Sequence, residues 1–202
     1  MKTYEHAGLP PAAPRSHPWS GATLDPQARY YDFASSPELI RSSLEDFKLL
    51  ERYPAIEEFY ALLERVNHPK SQLESNDCAL SGPSVNQTRH VKAKLECTGR
   101  VMLLYRDLAQ NTRHARLAWL RAAFHYQLAQ LDPKFALGMI GTTLVPVRYL
   151  ALPETAQLGE QLLLSFWAFG DTEPTTMLNL GRLFKNLTQA TRAVSARIIQ
   201  GD

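Results

Sequence analysis

The chain has 202 residues, 45% of them hydrophobic and 21% charged, with a formal net charge of +2. That balance suits a folded domain with its own core and excludes disordered and collagen-like classes. Two cysteines, Cys78 and Cys97, are too few for a disulfide framework and are not spaced as metal ligands, so no metal, no cofactor and a reducing, cytoplasmic setting are expected.

Residues 1–34 hold five of the thirteen prolines (Pro10, Pro11, Pro14, Pro18, Pro26) and show no helical period. They read as a proline-rich extended arm in front of a helical domain at 35–202. Trp19, Tyr30, Tyr31 and Phe33 imply that the end of the arm lies against the body. Nothing in the first twenty residues has the apolar core of a signal peptide.

Ser35-Ser36-Pro37-Glu38 carries a capping-box spacing and a proline in the first turn, and Ile40, Leu44, Phe47 and Leu50 continue as a helical stripe. Pro54 ends that helix and opens another, with Ile56, Phe59, Leu63 and Val66 on one face. Residues 68–85 have no period, contain Ser75-Asn76-Asp77 and Gly82-Pro83, and read as a long polar loop.

Asn86 to Leu131 runs without proline and with one glycine, Gly99. Eight cations (Arg89, Lys92, Lys94, Arg100, Arg106, Arg113, Arg116, Arg121) face only Glu96 and Asp107 as acids. On a helical wheel the apolar residues of 87–110 fall in one half, whereas Leu117, Leu120, Phe124, Leu128 and Leu131 form a stripe at another angle. The spacing predicts two helical halves broken near Gln110-Asn111-Thr112, with Asn111 or Thr112 capping the second. The second half, apolar on both sides, is expected to be sandwiched between helices.

Asp132-Pro133 opens a short helix, and Thr142–Pro153, β-branched and interrupted by Pro146, runs extended without a sheet. A helix over 154–169 with Gly170 as its C-cap follows. A last helix is capped by Asp171 or Thr172, with Leu180, Leu183, Phe184, Leu187, Val194 and Ile198 as its apolar side. The fold class so read is all-α, a bundle of about six helices. The apolar runs are too short or too interrupted (Pro146, Arg148) to span a bilayer, so no membrane role is expected.

No phosphate-binding glycine loop, HExxH, CxxC or GxSxG is present. The leading expectation is therefore a non-enzymatic adaptor whose basic central helices contact an acidic partner, protein or nucleic acid. Its binding residues would be Arg89, Lys92, Arg106, Arg113, Arg116 and Arg121. Pairing of Glu96 with Arg100 at i,i+4 already dilutes that face. An alternative is an enzyme centred on Cys78, with Asp77 and His90 supplying the charge and base that a thiolate requires. The plainer reading of Cys78 is a free, partly buried thiol. A third alternative is a structural subunit of a larger homo- or hetero-oligomeric assembly.

Overall fold

The structure is a computed structural model and describes residues 1–5, 14–18, 31–42, 50–88 and 91–200. Its centre is a sheet, which overturns the all-α expectation. Seven strands lie among the described residues: β1 (Lys2–Glu5), β2 (Arg15–His17), β3 (Leu73–Leu80), β4 (Ser84–Val85), β5 (Leu95–Tyr105), β6 (Gly138–Tyr149) and β7 (Leu158–Gly170). The order across the sheet is β1-β6-β7-β5-β3, with β2 continuing β1 along the same edge of β6 and β4 pairing with β5. β5, β6 and β7 are antiparallel neighbours, whereas β1 and β2 join β6 in parallel. Two pieces of the expected arm, residues 2–5 and 15–17, are thus strands of the sheet.

The helices are α1 (Leu39–Ser42), α2 (Pro54–Val66), α3 (Leu108–Asn111), α4 (His114–Gln130) and α5 (Glu173–Gln200). α2 and α5 begin and run where proline and the apolar period place them. Thr172 caps α5 through its hydroxyl and carbonyl, which accept from Thr175 N and Thr176 N. α2, α4 and α5 pack on one face of the sheet. Successive strand residues point to opposite faces, so Leu162, Leu164, Phe166 and Ala168 of β7 enter this core with Cys97, Val101 and Leu103 of β5 and Ile140 of β6. Phe59, Phe166 and Phe184 join three elements there, with ring centroids 4.9 Å apart for Phe59–Phe184 and 5.1 Å for Phe166–Phe184.

The sequence between 86 and 131 does divide near 110, but its first half is strand β5. β5 buries Val101 and Leu103 on the helical side, and carries Leu104, buried, and Met102, half-buried, on the other. A strand with apolar side chains on both faces loses its alternation and gives a nearly continuous apolar run, which a helical wheel accepts equally well. The same holds for β7, where Leu162–Phe169 had suggested a helix. Gly170 ends this strand where a Cβ would lie 2.6 Å from Thr176 N of α5.

β6 explains how Pro146 sits inside a sheet. Residues 139–142 pair with β1 and 147–149 with β2, leaving 143–146 between them with no partner on that edge among the described residues. A residue without an N–H fits such a gap.

α4 buries Leu117, Leu120, Ala123, Phe124 and Leu128 on one side, whereas Tyr126 on the other is 58% exposed. It is a surface helix and is not sandwiched. The residue at its N-cap is Arg113, not Asn111 or Thr112. Asn111 instead extends β5: its side-chain amide donates to Tyr105 O and accepts from Tyr105 N, both at 2.8 Å, as a neighbouring peptide group would.

Candidate functional site

The second face of the sheet carries no helix longer than four-residue α3 among the described residues, and its chemistry collects at one end. β2 lies beside residues 147–149 of β6, with His17 opposite Tyr149. Their rings meet edge-on at 5.6 Å. β3 brings acids to the same place. Leu73 and Ser75 point into the helical core, so Glu74 points out of it. The register then shifts between Ser75 and Asp77. The extra residue of this bulge is Asn76, which re-aims a side chain in the way bulges do. Its amide donates to Gln161 Oε1 at 2.7 Å and lies 3.3 Å from His17 Nδ1. Gln161 in turn donates to Met102 Sδ at 2.8 Å.

Asn67 fixes the bulge from the helical side. Its side chain donates to Leu63 O and Ser75 Oγ and accepts from Ser75 N, all within 2.8–3.0 Å. The end of α2 and the start of β3 are therefore held as one unit. Arg106, just past β5, closes the corner by donating to Asn67 O at 2.6 Å, His68 O at 3.0 Å and Leu73 O at 3.4 Å.

A cavity of about 370 Å³ opens at this end, lined by His17, Pro18, Asp32, Ala34, Ser35, Glu74 and Arg106. Asp32 orders its own loop by accepting from Ala34 N and Ser35 N. Glu74 is different. Its side chain is only 18% exposed, and among the described residues it has no hydrogen-bond partner. The His17 Nε2 atom lies 4.0 Å from it. Burial pushes the Glu74 carboxyl up to about 7, with Arg106 pulling it down and Asp32 adding to the rise. Burial also lowers His17, against the charge of Asp32. Around neutral pH the imidazole is thus neutral and the carboxyl half-protonated, so the two do not form a full ion pair. Tyr149, beneath them, is raised by burial and by Glu74, and its hydroxyl donates to Glu160 O at 2.7 Å. Such a cluster can exchange a proton near neutrality and can accept hydrogen bonds from a small molecule.

The residues singled out from sequence lie elsewhere, apart from Arg106. Arg89 and His90 fall outside the described residues. Lys92 and Arg106 flank an eleven-residue strand, which at ~3.3 Å per residue sets them on the order of 35 Å apart. Arg113 is exposed at the start of α4. Arg116 stacks over Tyr105 and Trp119, with distances to the ring centroids of 5.6 and 5.8 Å. Arg121 pairs with Glu5 at 3.4 Å. No single helical face gathers these cations, because the segment is a strand followed by a helix.

Cys78 and Asp77 are neighbours on β3 and so point to opposite faces. Asp77 faces Arg15 at 2.6 Å and Arg100 at 3.4 Å. Cys78 packs against the helical core, and burial together with Asp77 pushes its thiol up to about 12. Cys97, fully buried, is also raised to about 12 by burial, with Glu173 and Glu96 adding to it. Among the described residues no group of three or more His, Cys, Asp or Glu side chains is placed to hold a metal, and no helix is long and apolar enough to cross a membrane.

The chain matches no family model, no curated protein and no solved structure. Sequence reasoning missed His17 and Glu74. The signal was faint: a histidine between prolines in the arm, and a glutamate in a stretch read as loop. Only parallel pairing of β2 with β6, and the pairing of β3 with β5 that turns Glu74 away from the helical core, bring residues 17 and 74 together.

Proposed function

We propose that the protein is a binding protein and that the cleft beside His17 and Glu74 is its ligand site. The observation that supports this is Glu74, a mostly buried carboxyl that faces a cavity with its acceptor positions unfilled by any described residue. Asn67, Ser75 and Arg106 fix the strand that carries it, so the carboxyl is held facing the cavity, where a ligand donor can meet it. The cavity volume suits a small polar molecule rather than a peptide or nucleic-acid strand. An acidic partner at the basic segment has less support, because Arg106, Arg116 and Arg121 are engaged within the fold and Lys92 lies far from Arg106.

The test is an amide NMR screen of the labelled protein against small polar compounds of both charges and none. Shifts concentrated at 16–17, 32–35, 74–76 and 106 support the cleft. Binding by none of the compounds, or shifts confined to 92 and 113 on adding an acidic polymer, overturns it.

A further inference from the structure

Four side chains on the second face of the sheet form a hydrogen-bonded line whose direction is set at one end. Met102 of β5 ends it with a thioether sulfur, which accepts and does not donate. The Gln161 atom 2.8 Å from that sulfur is therefore the amide nitrogen, Nε2. The other polar atom of Gln161 is then the acceptor Oε1, and the Asn76 atom 2.7 Å from it must be the Nδ2 donor. The same Nδ2 lies 3.3 Å from His17 Nδ1, so this ring nitrogen has to present its lone pair. A neutral imidazole carries its one N–H on the other nitrogen. In His17 that is Nε2, the atom on the side of Glu74, 4.0 Å from Oε1. The line is nearly dry, with exposures of 1% at Gln161, 5% at His17 and 8% at Asn76. Two donors facing each other in such a place are costly, because water does not reach them to accept.

Resting on the ligand site read above, we propose that Met102, Gln161 and Asn76 are positioning residues that lock His17 as the Nε2–H tautomer, so that the cleft meets this ring only as a hydrogen-bond donor. A guest then has to place an acceptor atom at His17. A second proton on the ring would sit on Nδ1 and oppose Asn76 Nδ2. Turning the Asn76 amide over would bring Oδ1 against Gln161 Oε1. Turning Gln161 as well would bring its Oε1 against the sulfur of Met102. The line therefore cannot reverse without leaving one opposed pair. The charged and titratable groups around the ring are Glu74 of β3, Asp32 of the loop before α1 and Arg106 after β5, with Tyr149 of β6 beneath. Ionised carboxyls draw a proton toward His17 and the guanidinium repels it. The line adds a directional bar at Nδ1 that none of these groups supplies. Near neutrality the cleft consequently exchanges its proton at Glu74 and keeps His17 as a fixed donor.

The experiment is nitrogen NMR of the imidazole rings in the full chain without ligand, with His17 assigned by comparison with His17→Gln. The expected spectrum is that of a neutral ring protonated at Nε2 alone. An Nδ1–H ring, or a mixture of the two tautomers, overturns the proposal. Met102→Leu then separates the line from burial, because leucine keeps the volume and the apolar character but accepts no hydrogen bond. Gln161 and Asn76 can turn over in this variant, so the Nδ1–H ring should become detectable and the His17 titration midpoint should rise by about one pH unit. A tautomer and midpoint unchanged in Met102→Leu assign the neutral ring to burial alone and overturn the proposal. Circular dichroism and the urea midpoint check the fold of the variant; if it does not fold, the tautomer in the unsubstituted chain decides by itself. Both readings are taken without ligand. Their failure leaves the cleft to the compound screen, and a silent screen removes the ligand site while the line stands.

Discussion

His17 Nε2 and Glu74 Oε1 stand 4.0 Å apart across the mouth of the cleft, yet burial pushes the pair toward an uncharged state. The imidazole is lowered and the carboxyl raised, so each avoids carrying charge in a partly dry place. Folding holds them together through the sheet, not through their attraction: β2 is fixed by β6 and β3 by β5.

This sets a pH dependence of stability. The native Glu74, near 7, binds more protons than its unfolded counterpart, near 4.5. Its contribution is therefore present below about pH 4.5 and lost as pH rises toward 7, by up to on the order of 3 kcal/mol. His17 acts in the opposite sense, because its lowered native value makes acidification below about 6.5 costly. Glu74→Gln is expected to raise stability at pH 8 by about 1–3 kcal/mol and to leave it nearly unchanged at pH 4. Urea unfolding at the two pH values measures both.

Asn111→Ala removes a side chain that serves as a surrogate strand for Tyr105. Both lost contacts leave buried backbone groups, so a destabilisation of about 2–4 kcal/mol is expected in urea unfolding. Asn111→Asp is expected to fall in the same range, because it loses the donor to Tyr105 O.

Gly99 on β5 lies under the ring of Phe166. A Cβ there would come within 2.4 Å of Ala79 O and 2.5 Å of the Phe166 ring. Gly99→Ala is expected to cost about 1–3 kcal/mol by overpacking the Phe59–Phe166–Phe184 cluster. Near-ultraviolet circular dichroism should register the displaced rings, with little change in the far-ultraviolet signal.

Thiol labelling distinguishes a core cysteine from a reactive one. Both sulfurs are raised to about 12, so in the native state Cys78 and Cys97 should each react with iodoacetamide at least a hundredfold more slowly than in urea. Rapid alkylation of Cys78 in the folded protein would revive a thiol-centred site.

The amphipathic helices were legible because one side of each meets solvent. α2 kept its stripe of Ile56, Phe59, Leu63 and Val66, and α5 its run from Leu180 to Val194. The sheet was not legible. β5 and β7 carry apolar side chains on both faces, buried on the helical side and half-buried at Met102, Leu163 and Trp167 on the other, and β6 carries a proline that only its particular edge gap tolerates. β3 hides its alternation behind a bulge, so Asp77 shares the face of Glu74 and Asn76 against the period of two. The cleft depends on the pairing of β3 and on a three-residue strand far upstream in the chain. Neither leaves a local pattern, and cations that look clustered along the chain are separated once β5 is extended.

The most direct measurement is the carboxyl-carbon NMR titration of Glu74 in the full chain, assigned by comparison with Glu74→Gln. A midpoint near 7, shifting when a ligand fills the cleft, is the result expected of a mostly buried carboxyl that faces the ligand site. A midpoint near 4.5, unmoved by any ligand, would mean that Glu74 is an ordinary solvated acid and that the cleft is not the site.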